Sequence, residues 1–144
     1  MAPGVLSRDG FLGHDTRNIA DILAEDQAEL EAAGVTLAEV ADMLERVHEK
    51  ADAGMERPVT LCGGAMTLQS TEGMGRMPCP FACGVRTHKA VITVQALGRE
   101  FRLTPMLVHL VRAHGFFQGR GTPFRLEPAD AAALLRVCRS LGTE

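Results

Sequence analysis

From Thr16 to Ala33, the apolar residues Ile19, Ile22, Leu23 and Leu30 recur at helical spacing between carboxylates, which predicts an amphipathic helix. Gly34 stands where a C-capping glycine belongs. Thr36 follows, with Glu39 three residues on, a capping box that opens a second helix from Leu37 to about Ala51. Its stripe is Leu37, Val40, Leu44 and Val47, with Met43 alongside. So short a link predicts an antiparallel helical hairpin across residues 16–54. Its apolar face needs cover, from the rest of the chain or from a second copy.

Beyond Gly54 the period changes. Val59–Cys62 and Met66–Gln69 read as short strands around a Gly63-Gly64 turn, and residues 70–77 read as a loop. Lys89–Leu97 is rich in β-branched residues, and after Gly98-Arg99 the chain returns through Glu100–Leu103 in strict alternation, predicting a hairpin. Thr104-Pro105 opens a helix that stops at Gly115, and a last helix is expected over Pro128–Leu141. The fold class expected is α+β. A loose arm at 1–15 precedes the helical hairpin at 16–54, and an α+β module follows at 55–144.

Charge divides at the same place. Residues 1–57 carry 13 acidic and 5 basic side chains, and residues 58–144 carry 5 acidic and 10 basic ones. Such a split fits a basic half held against an acidic one, or helices with solvated acidic faces. With 4% aromatic residues and neither Trp nor Tyr, the chain offers no stacking platform for single-stranded nucleic acid. The N-terminus lacks the basic and apolar regions of a signal peptide, and no stretch approaches membrane-spanning length. The expected setting is therefore cytoplasmic, with reduced thiols that bind metal more readily than each other.

The segment "MPCPFACG" at residues 77–84 carries the distinctive chemistry. With the helix that follows it gives the spacing Cys79-x3-Cys83-x25-His109-x4-His114. Two cysteines and two histidines are a standard tetrahedral set for Zn2+. "CPFACG" resembles the knuckle of zinc-finger proteins. The order knuckle, hairpin, helix is similar to the treble-clef group, and the closing His-x4-His resembles the histidine half of a Cys2His2 finger. The likeness runs from Cys79 to Gly115 and implies a metal-bound module. It departs from those patterns in having three residues between the cysteines and 25 between the pairs. On an ideal helix His114 falls within the apolar face, whereas His109 lies toward the exposed side with Arg112. Sharing one metal would then require the last turn to tighten or unwind. His88 and Cys62 stand as alternatives for the fourth ligand.

The function expected is a non-catalytic zinc-binding interaction module, regulatory in type, with a protein or nucleic acid as partner. Self-association through the N-terminal helices is one such partnership. For nucleic acid, Arg86, Lys89, Arg102, Arg112 and Arg120 are the candidate phosphate contacts, against an acidic pI of 5.9. The alternative is a small zinc-dependent hydrolase with an open metal position. No His-Glu-x-x-His or deaminase signature supports it, and no catalytic residue is assigned.

Overall fold

The structure, a computed structural model, describes Leu12 and residues 15–141. The arm expected at 1–15 lies outside the described residues apart from Leu12 and Asp15. The fold is α+β, with helices α1 (Ile19–Ala32), α2 (Leu37–Ala53), α3 (Pro105–His114) and α4 (Pro128–Leu141). Between α2 and α3 lie β1 (Val59–Leu61), β2 (Met66–Pro78), β3 (Arg86–Ala96) and β4 (Arg99–Leu103). The strands form one antiparallel meander in the order β1-β2-β3-β4.

Local chemistry sets the helix ends. Asn18 caps α1, accepting the Asp21 N–H at 3.0 Å. At its other end Gly34 takes φ 78°, and the Val35 N–H returns to the Leu30 carbonyl, a Schellman closure that lets α2 start at once. Thr36 and Glu39 form the expected capping box, and Thr104 caps α3 with Pro105 at its first position.

Residues 70–77, expected as a loop, belong to β2. Their polar, glycine-rich composition hides a strand held by pairing with β3, from Glu72 opposite Ala90 to Pro78 opposite Arg86. The register shifts between Glu72 and Arg76. A Cβ on Gly73 would come within 3.2 Å of the Lys89 carbonyl oxygen, so the two backbones approach closely there.

One sheet face is apolar: Met66, Leu68, Ile92, Val94, Phe101 and Leu103 are buried against the helices. The stripe of α2, Val40, Met43, Leu44 and Val47, packs into this same core, with Leu107, Val108 and Val111 of α3 and Leu134 and Leu135 of α4. A second, smaller core gathers Leu12, Ile19, Ile22, Met106, Leu110 and Phe116 around Cys79. Helix α3 therefore serves both cores.

The charge split has a structural counterpart. Arg125 meets Asp26 at 2.9 Å with both side chains buried, Arg112 meets Glu45 at 2.8 Å and also Asp42, and Arg139 meets Glu39. Acidic helices of the first half thus face arginines of the second. Cys62 and Cys138 form a disulfide joining the turn after β1 to α4, which corrects the expectation of reduced thiols throughout. Neither cysteine has a local signal for pairing. Their 76-residue separation is closed only by the packing of α4 on the core. No helix among the described residues is long and apolar enough to cross a membrane.

Candidate metal centre

The cysteine knuckle is the loop that joins β2 to β3. It leaves the ladder after the pair Pro78–Arg86, and the Cys79 N–H bonds the Val85 carbonyl at 2.9 Å to close the loop. Within it the Ala82 N–H returns to the Cys79 carbonyl at 3.0 Å, and Ala82 and Gly84 both adopt positive φ, 59° and 92°. That double left-handed turn brings Cys83 back beside Cys79. Only a glycine takes the second of these conformations without steric cost.

Helix α3 supplies the other half. It stays helical to His114 and ends at Gly115, φ 64°, whose N–H returns to the Leu110 and Val111 carbonyls. The His114 Nε2 lies 3.5 Å from Cys79 Sγ, and the His109 Nε2 lies 3.3 Å from Cys83 Sγ. The imidazoles stand edge to face with centroids 5.3 Å apart. No unwinding is needed, contrary to expectation, because two half-buried imidazoles reach round the helix from either side toward one point. Donor atoms of all four residues lie within 4.8 Å of one another.

A tetrahedral zinc with ordinary Zn–S and Zn–N bonds sets its sulfur and nitrogen ligands about 3.5 Å apart. Both S···N separations match that edge. The donor set is two thiols and two imidazoles, with no carboxylate among the four.

Aromatic packing orients the buried side. Phe81, at the centre of the knuckle, stacks on His114 at 4.2 Å with the planes 11° apart, and sets its edge against Phe116 at 5.6 Å. Cys79 is buried in the small core while Cys83 is exposed. Burial pushes the Cys79 thiol above its ordinary pKa, and the Cys83 side chain adds to the rise. The backbone amides of Phe81 and Cys83 oppose it. Burial, and then the neighbouring His114, lowers the pKa of His109 and favours the neutral imidazole that a metal needs.

The other ligand candidates are elsewhere. Cys62 is taken by the disulfide. His88 stands with His48 and Asp52, a second group whose donor atoms lie within 4.8 Å of one another. The spacing of His48 and Asp52, one helical turn apart on α2, was the available sequence signal for this group.

Among the basic candidates, Arg112 is engaged by Asp42 and Glu45, and Arg102 faces solvent beside Glu100 at 3.5 Å. Arg86 and Lys89 are exposed on β3 just beyond the knuckle. Arg120 is exposed as well, its backbone N–H donating to Asp15 at 3.2 Å.

Fold and site together define an α+β protein with a Cys2His2-type cluster able to hold a metal ion. Comparison with protein-family models, curated proteins and solved structures finds no match.

Proposed function

We propose that Cys79, Cys83, His109 and His114 bind one Zn2+ in a closed site, and that the protein is a non-catalytic, zinc-organised interaction module. The observation that carries this reading is the convergence of four soft and borderline donors within 4.8 Å of one another, with two S···N separations at the tetrahedral edge length. Zinc there would tie the β2–β3 loop to the end of α3 and cover the small core beneath Cys79. Four protein ligands leave no position for a reacting water, which weighs against the hydrolase reading.

Exposed Arg86 and Lys89 beside the knuckle support an anionic partner, nucleic acid or an acidic protein segment. Arg102 and Arg120 are exposed as well, whereas Arg112 is already engaged by two carboxylates.

Metal analysis after brief chelator washing tests the site, and less than about half an equivalent of zinc would sink the proposal. Replacing His109 with Asn separates the two kinds of site. Joint loss of zinc and of cooperative unfolding is expected for the closed one. A folded variant that keeps its zinc would point to an open position and to hydrolysis. For the partner, retention on DNA or RNA that weakens with salt and with Arg86→Ala and Lys89→Ala supports nucleic acid. Retention insensitive to both counts against it.

A further inference from the structure

A second group of donors, without sulfur, brings His48 and Asp52 of α2 together with His88 of β3. We propose that these three residues form a second, sulfur-free site for a divalent transition-metal ion, fastening α2 to β3. The first site is not needed for this reading, since no residue is shared between them.

The placement follows from two regular elements. His48 and Asp52 are four residues apart on α2 and so project from one helix face. His88 shares the sheet face of Ala90, Ile92 and Val94, which is the face the helices cover. The two imidazole centroids lie 5.8 Å apart at 30°, and one donor atom from each of the three residues falls within 4.8 Å of the others. Glu72 adds a carboxylate, its Oε1 lying 3.8 Å from His88 Nε2, in the part of β2 where the register shifts.

One atom in the group is unexplained by the fold. The Nε2 of His48 is buried and has no hydrogen-bond partner. An unsatisfied buried ring nitrogen is destabilising, and coordination is one way to satisfy it. The donor set selects the class of ion. Two imidazoles and a carboxylate suit Zn2+, Fe2+, Co2+ or Ni2+, and without a thiolate they do not favour Cu+. Three protein donors also leave positions for water, so binding should be weaker and more exchangeable than in the Cys2His2 site.

The test uses the full chain with its first site loaded with zinc, titrated with Co2+. The expected result is one further equivalent without thiolate-to-cobalt charge transfer, with paramagnetic broadening of the His48 and His88 ring protons. His48→Asn and Asp52→Asn should each weaken this equivalent at least about tenfold, with the zinc of the first site retained. A wild-type protein that takes no second equivalent, with both rings unbroadened, overturns the proposal whatever the variants do. So does a folded His48→Asn variant that binds Co2+ as tightly as wild type. Failure of the first site would show separately, as absence of the charge-transfer band when metal-free protein is loaded with Co2+.

Discussion

Gly119 offers a sharp test of how Leu12 is seated in the small core under the candidate metal centre. A Cβ at this position would sit 2.1 Å from the Leu12 carbonyl oxygen, 2.6 Å from its carbon and 2.7 Å from its Cα. All three are backbone atoms, so no rotamer change relieves the overlap. In Gly119→Ala the Leu12 backbone must lift away. Leu12 is 1% exposed and belongs to the same small core as Cys79, so its release forfeits about 1.5–3 kcal/mol of side-chain burial. The bond from the Arg120 N–H to the Asp15 carboxylate goes with it, worth roughly 1.5–3 kcal/mol as a bond to a charged group. Together these predict a loss of about 3–6 kcal/mol, or roughly 10–25 °C in Tm for a chain of this size. Urea and thermal unfolding of the zinc-loaded protein, followed by circular dichroism, would read it. Leu12→Ala provides the internal control. Once Gly119→Ala has expelled Leu12, truncating that side chain should add little, so the double variant should be about as stable as Gly119→Ala alone. A Gly119→Ala protein within about 0.5 kcal/mol of wild type, or strictly additive losses, would refute the reasoning.

Three further predictions rest on other parts of the structure. Asp26→Ala strands Arg125 in the interior with Glu127 and the Gln118 carbonyl as its remaining partners, and should cost about 3–5 kcal/mol in urea unfolding. A hydrogen bond from the Arg17 guanidinium, helped by the Arg17 and Arg120 amides, holds the Asp15 carboxyl well below the usual carboxylate range. Its stabilisation is full above the unfolded value near ~3.9 and is lost as pH falls through the lower folded value. Asp15→Asn should therefore be less stable than wild type at neutral pH, and the gap should close on acidification below about pH 4. Replacing Cys62 and Cys138 together with Ala should cost about 2–4 kcal/mol in thermal unfolding and leave the zinc content unchanged, since neither belongs to the cluster. Zinc lost in that variant while it stays folded would contradict the separation of the two cysteine pairs.

Most boundaries with a short-range cause were legible along the chain; the exception is the start of α1, read at Thr16 although Asn18 caps it and the helix begins at Ile19. The Gly34 closure, the Thr36–Glu39 capping box, Thr104-Pro105 and the Gly115 stop each depend on residues within about one helical turn. The alternation of Glu100–Leu103 likewise sets which side chains enter the core, with Arg102 outside. Residues 70–77 failed as a strand reading because their hydrogen bonds come from β3, on which their own composition is silent.

The candidate metal centre divides along the same line. Residue types and spacing brought Cys79, Cys83, His109 and His114 together as a set, and an ideal helix left His109 in doubt. Its inclusion was decided by the distance from the β2–β3 loop to α3 and by the length of an imidazole side chain. The fates of Cys62, bonded to Cys138, and of His88, placed beside His48, were decided in the same way. What the sequence by itself determined was the kind of chemistry and the ends of the helices, because those follow from neighbours along the chain. Which distant donors share a point only the tertiary structure decided, because that depends on how helices and sheet pack over one apolar core.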